Sequence, residues 1–215
     1  MLKKNNSSII LKKPKSIIFD TDNTLYEYEP ANKFALEAVA SKVKNLLGIN
    51  KDSFIKSYNI ARNDVKKQLG NTASSHSRLL YFQKMLENLE LKAQLLIALD
   101  LEQTFWRTFL ANAPLFPGVY ELFEKLTFNN ISIAIVTDLT AQVQLRKLTY
   151  FNLEDTFDAV VTSEETGADK PNKRNFELVL SKLGLGTGNQ NWVVGDDPYT
   201  DIIGGKSIQA VTFQK

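Results

Sequence analysis

The chain has 215 residues, 43% of them hydrophobic and 23% charged, with no cysteine and one histidine, His76. That length and balance suit one core carrying an insertion and exclude wholesale disorder. The missing thiols exclude a disulfide framework, a thiolate metal site and a cysteine nucleophile, and one histidine cannot build a His-pair zinc site. The formal net charge of +2 is unevenly spread.

Residues 1–15 hold five lysines (Lys3, Lys4, Lys12, Lys13, Lys15) and no acid. This reads as a solvated basic tail. Its apolar part, Ile9-Ile10-Leu11, is too short for a secretory signal, so a cytoplasmic protein is expected. No apolar run approaches the roughly 18–20 residues of a spanning helix. Neither a membrane nor nucleic acid is expected as a partner, and the chain is read as a monomer or homodimer.

Ser16-Ile17-Ile18-Phe19 reads as a strand buried on both faces. Residues 28–113 then carry only helical periodicity. Leu36, Val39, Val43 and Leu46 form one stripe; Phe54, Tyr58, Ala61, Val65 and Leu69 form a second. Leu79, Phe82, Leu86 and Leu89 form a third, and the segment around 92–111 a fourth. Breaks are expected at Gly48-Ile49-Asn50 and Gly70-Asn71-Thr72. An all-helical block of this size is an inserted bundle rather than one crossover helix.

From residue 114 the pattern alternates. Apolar positions Val119, Leu122, Phe123 and Leu126 precede the strand Ile131–Val136. Val143, Leu145 and Leu148 precede a weaker strand at Phe157–Val161. Phe176, Val179, Leu180 and Leu183 precede Trp192-Val193-Val194, and Gln209–Phe213 closes the series. Strands alternating with helices give right-handed crossovers and a mostly parallel sheet. The expected fold is α/β, a Rossmann-like sheet made of residues 16–27 and 114–215 and interrupted by the helical insertion 28–113. Residues 26–113 hold 12 basic and 9 acidic side chains, against 9 basic and 15 acidic in the remainder outside the tail. A cationic insertion beside an anionic core suits an anionic substrate.

The chemistry-bearing residues collect at strand ends. Asp20-Thr21-Asp22-Asn23-Thr24 follows the first strand directly. Ligand sites in parallel sheets lie at the carboxyl edge. Two carboxylates two residues apart there repel one another, and a hard cation relieves that repulsion. The strand ending at Val136 runs into Thr137-Asp138. The loop Glu164–Pro171 brings Lys170 just ahead of a helix. Val193-Val194 runs into Gly195-Asp196-Asp197, with Asp201 beyond. Gly184-Leu185-Gly186-Thr187-Gly188 lies after a helix and before a strand, the wrong order for a nucleotide loop, and reads as a helix-ending turn.

This order of motifs resembles the haloacid dehalogenase-like superfamily, whose members are mostly phosphatases. Asp20–Thr24 is similar to its nucleophile motif, Thr137 to its second motif and Lys170-Pro171 to its third. Gly195–Ile202 resembles its acidic fourth motif, and the helical insertion resembles its cap. The departures are Thr21, where a large apolar residue is commoner, and a glycine-rich last helix at Gly204-Gly205.

The resemblance implies a magnesium-dependent phosphatase acting on a small phosphorylated metabolite through an aspartyl-phosphate. Asp20 would be the nucleophile and Asp22 the general acid and base. Mg²⁺ would sit on the Asp20 and Asp196 carboxylates and the Asp22 main-chain carbonyl. Thr137, Asp138 and Lys170 would bind the phosphoryl group, and Asp197 and Asp201 would orient those groups from behind. Thr24 would steady the turn. In the insertion, His76 and Arg78 are the candidate substrate contacts. A phosphomutase of the same fold shares every motif, whereas a 2-haloacid dehalogenase has no use for Asp22 or a metal. A catalytically silent binding protein has no use for the full set.

Overall fold

The protein is described from a computed structural model, which covers residues 3–4 and 12–215. Expectations for residues 1–2 and 5–11 of the basic tail lie outside the described residues. The chain divides into two compact units, one comprising Met1–Glu27 and Leu115–Lys215 and the other Tyr28–Pro114.

The first unit is a six-stranded sheet. Its strands are β1 (Lys3–Lys4), β2 (Ser16–Phe19), β3 (Ser132–Thr137), β4 (Ala159–Thr162), β5 (Asn191–Gly195) and β6 (Val211–Gln214), in spatial order β1-β6-β5-β2-β3-β4. Five of them run parallel; β1 alone pairs antiparallel, with Lys3 opposite Gln214 and Lys4 opposite Phe213. Part of the expected solvated tail is therefore an edge strand, since backbone pairing needs no apolar side chains.

The central strand β2 is buried along its whole length. Both faces of a parallel sheet are covered by crossover helices, so its strands are continuously apolar rather than alternating. Ile18, Ala134, Val136, Val161 and Val193 pack with Phe176, Val179 and Leu180 of the helix Lys173–Lys182. The two glycines of the helix Ile203–Ser207 have a packing reason. A Cβ at Gly204 would run into the Phe176 ring, and one at Gly205 would meet Thr212 Cγ2 at 2.8 Å and Val193 Cβ at 2.9 Å.

The second unit holds four α-helices: α1 (Tyr28–Leu47), α2 (Lys51–Leu69), α3 (Arg78–Asn88) and α4 (Leu95–Ala111). Asn50 caps α2 through its side chain, which accepts from the Ser53 N–H at 2.9 Å, and Gly70 ends that helix. Ser77 caps α3 in the same way. These caps satisfy backbone donors that a helix start otherwise leaves open. An aromatic core runs through Phe54, Tyr58, Tyr81, Phe82, Phe105, Trp106 and Phe109, all buried. Leu36 is only partly covered and Leu46 is 51% exposed, while Ala31, Ala35 and Ala40 line the buried side of α1. Small alanines let α1 pack closely, and an apolar residue at helical spacing is not thereby buried. None of the described helices is long and apolar enough to cross a membrane.

Candidate active site

The site is assembled by adjacency of parallel strands. In register, Phe19 at the end of β2 lies beside Ile135 of β3 on one side and Val194 of β5 on the other. Thr137 in turn pairs with Thr162 of β4. The residues that follow these positions emerge at one edge. Asp20 remains tied to the sheet, its N–H donating to Val194 O at 2.9 Å.

Asp20 is buried, and both of its carboxylate oxygens are held. Lys170 Nζ donates to Oδ1 at 2.7 Å, and Thr24 Oγ1 donates to Oδ2 at 3.0 Å. Thr24, expected only to steady the turn, thus also touches the Asp20 carboxylate. The same Lys170 ammonium donates to Asp201 Oδ1 at 2.7 Å. Asp201 Oδ2 accepts the Asp197 N–H at 3.2 Å, while the Asp197 carboxylate caps its own turn by accepting the Tyr199 N–H at 2.7 Å. A π-helical turn, Pro198–Ile202, brings Asp201 back under the site. Gly195 leaves room for it, because a Cβ there would overlap the Asp201 carboxylate. Asn23 Nδ2 donates to Asp196 Oδ2 at 3.3 Å.

Thr137 is buried at the end of β3. Asp138 Oδ1 accepts the Lys170 main-chain N–H at 2.7 Å. This contact ties the Lys170 loop to the end of β3.

The electrostatics are those of crowded acids around one cation. Burial pushes the Asp20 carboxyl up to about 6; Lys170 pulls it down and Asp201 pushes it further up. Asp138 is likewise raised to about 6 by burial, against the pull of Lys170. Asp196 and Asp201 are raised in the same direction, mainly by burial. Burial by itself would lower Lys170, but Asp20, Asp201 and Asp138 together hold it well above its usual value. Oxygens of Asp20, Asp196 and Asp201 all lie within 4.8 Å of one another. Three carboxylates and one ammonium leave a double negative charge, and a divalent cation with hard oxygen preferences matches that donor set.

The sequence reading missed two residues. Lys147 Nζ donates to Asp22 Oδ1 at 2.7 Å and to Tyr26 Oη at 2.8 Å, and Tyr26 Oη donates to the same Asp22 oxygen. Lys147 lies on the helix Ala141–Tyr150, whose buried face is Gln144, Lys147 and Leu148. The expected stripe member Leu145 is instead 55% exposed. The available signal was Lys147 itself, which with Gln144, Leu148 and Phe151 completes a helical stripe.

His76 and Arg78 belong to the helical unit. His76 ends a 3₁₀ turn, Ala73–His76, and Arg78 opens α3. The Arg78 guanidinium is buried, lies 5.2–5.6 Å from the ring centroids of Tyr81, Phe105 and Trp106, and donates to His76 O at 2.7 Å and to Tyr28 Oη. These partners all belong to the helical unit.

Buried acids at one edge of a parallel sheet, one lysine binding two of them, and an interrupting helical unit define a class of hydrolase. Residues 17–214 match the haloacid dehalogenase-like hydrolases, and the chain belongs to that family. It is 37% identical to a ribulose-1,5-bisphosphate 5-phosphatase of Halopiger xanaduensis, over 90% of this chain and 81% of the relative. It is 28% identical to a glyceraldehyde 3-phosphate phosphatase of Methanocaldococcus jannaschii, over 93% of this chain and 84% of the relative. Its fold is also that of the magnesium-bound HAD-hydrolase YfnB of Bacillus subtilis, with a TM-score of 0.70, 23% identity and coverage of 94% and 88% of the two chains.

Proposed function

We propose that the protein is a phosphatase, a phosphoric monoester hydrolase that works through an aspartyl-phosphate on Asp20 with magnesium as its cofactor. One observation carries this reading. Asp20 is buried, held on both oxygens by Lys170 and Thr24, and followed two residues later by a second carboxylate. A carboxylate fixed in this way is oriented for attack.

In the first step an Asp20 oxygen forms a bond to phosphorus while the bond from phosphorus to the ester oxygen breaks. The departing oxygen keeps the bonding pair and takes the proton of Asp22. In the second step a water attacks phosphorus, gives a proton to Asp22, and the bond between phosphorus and Asp20 breaks. Phosphate leaves, and both aspartates return to their starting forms. Lys170 and Thr137 bind the phosphoryl oxygens as charge builds on them. Asp201 and Asp138 keep Lys170 in place. The Asp20 and Asp196 carboxylates and the Asp22 carbonyl would hold magnesium, which supplies positive charge that offsets repulsion between nucleophile and phosphate dianion.

The substrate is a small phosphorylated metabolite. The 37% identical relative and the glyceraldehyde 3-phosphate phosphatases support sugar phosphates as the first class to assay. The helical unit, Tyr28–Pro114, is read as the part that discriminates among them, since the sheet motifs recognise only phosphate. The test is release of inorganic phosphate from a panel of monoesters with and without magnesium. Turnover that needs magnesium and disappears in Asp20→Asn is expected. Activity that survives chelation removes the metal from the reading, and full activity in Asp20→Asn removes the nucleophile.

A further inference from the structure

We propose that Lys147 and Tyr26 are positioning residues that hold the Asp22 carboxylate for proton transfer to the leaving group. The inference rests on the role of Asp22 given above and extends it to two residues outside the four motifs.

The geometry is specific to one oxygen. Lys147 Nζ lies 2.7 Å from Asp22 Oδ1, and the Tyr26 hydroxyl donates to that same atom. Lys147 also reaches the Tyr26 hydroxyl at 2.8 Å, so the three groups form a closed triangle. Two of its corners are fixed from behind. Tyr26 is buried, its ring lies 5.2 Å from that of Phe151, and its backbone bridges both Asp22 and Leu115. Lys147 stands on the helix Ala141–Tyr150 with a side chain 1% exposed, while the Asp22 side chain is 31% exposed.

The burial is what makes the triangle informative. Placing an ammonium in the interior is costly, and a buried ion pair is a poor source of stability. The lysine therefore serves Asp22 rather than the fold. Two donors on Oδ1 fix the plane of the carboxyl group around the proton that Asp22 transfers. That proton passes to the departing ester oxygen in the first step and is replaced from the attacking water in the second. A carboxyl group free to rotate would meet the leaving oxygen in only a fraction of encounters, and general acid catalysis depends on that reach.

The test compares leaving groups, using kcat/KM because it reports the steps through phosphoryl transfer to Asp20. The substrates are para-nitrophenyl phosphate, whose phenolate departs with little protonation, and the best alkyl phosphate of the panel, whose alkoxide does not. Asp22→Asn, Lys147→Met and Tyr26→Phe are measured side by side with magnesium saturating. In Lys147→Met the loss on the alkyl phosphate is expected to exceed that on the aryl phosphate by about tenfold or more, within the range of general acid effects. Tyr26→Phe, which keeps the ring, shows the same skew to a smaller degree and carries the test if Lys147→Met does not fold. A skew in Asp22→Asn with equal losses, or none, in the other two variants overturns the proposal and leaves Asp22 as the acid. No skew in Asp22→Asn overturns the general-acid reading itself, and the proposal with it.

Discussion

Gly195→Ala probes the site from behind, at a residue that performs no chemistry. The built Cβ falls on Cγ and Oδ2 of Asp201, against an ordinary van der Waals approach of 3.4–4 Å. The aspartate must retreat by on the order of 1 Å, a shift known to cost about a hundredfold when it reaches reacting groups. At that displacement the 2.7 Å contact with Lys170 Nζ is lost. Lys170 is then released from one of its two anions while still buried. Losing one charge-assisted hydrogen bond while the pair with Asp20 is kept costs roughly 1.5–3 kcal/mol. In a chain of this size that lowers Tm by roughly 3–12 °C. The assay is kcat/KM for para-nitrophenyl phosphate, measured well below the variant's Tm, together with thermal unfolding. Both are expected to fall, and Asp201→Asn should reproduce the kinetic loss without the steric overlap. Wild-type kcat/KM with an unchanged Tm refutes the claim that Asp201 has to occupy its observed place.

The raised carboxyls give a pH prediction with a definite sign. Asp20 and Asp138 sit at about 6 against an ordinary 3.8. Their protons stabilise the metal-free fold fully below the ordinary value, and that stability is lost as pH rises through about 6. Metal-free Tm is therefore expected to fall between about pH 5 and about pH 7.5, with magnesium raising Tm more at the higher pH; equal magnesium shifts at both would contradict the assignment of Asp20 as a ligand. Arg78→Ala removes a desolvated cation from three aromatic faces and a donor to Tyr28 Oη, a combined loss of about 3 kcal/mol, so Tm drops by roughly 6–12 °C. An unmoved Tm would show that the guanidinium is not part of the packing.

The order of apolar runs and strand-end acids determined the α/β class, the helical interruption and the positions of the motifs. Strands of a parallel sheet are buried on both faces, so Ile17–Phe19 and Ile133–Val136 are legible as continuous apolar runs without any partner in view. Asp20 and Asp196 are legible for a related reason: the residue after such a run has to emerge at the sheet edge. The sequence could not decide which face of a helix is buried where that face carries polar groups. Leu145 has the better apolar claim, yet Lys147 is inside, because the triangle with Asp22 and Tyr26 offsets its desolvation. Asp138 shows the same limit. Its place beside Thr137 suggests phosphate, and nothing local announces that its Oδ1 accepts from the Lys170 main chain, a contact across 32 residues. Arg78 reads as a candidate substrate contact at a helix start, and only the packing shows its guanidinium among Tyr81, Phe105 and Trp106. Each of these residues is placed by a partner distant in the chain. Local pattern carries period and polarity, but a buried charge is stable only against a specific group, and only the tertiary structure brings that group to it.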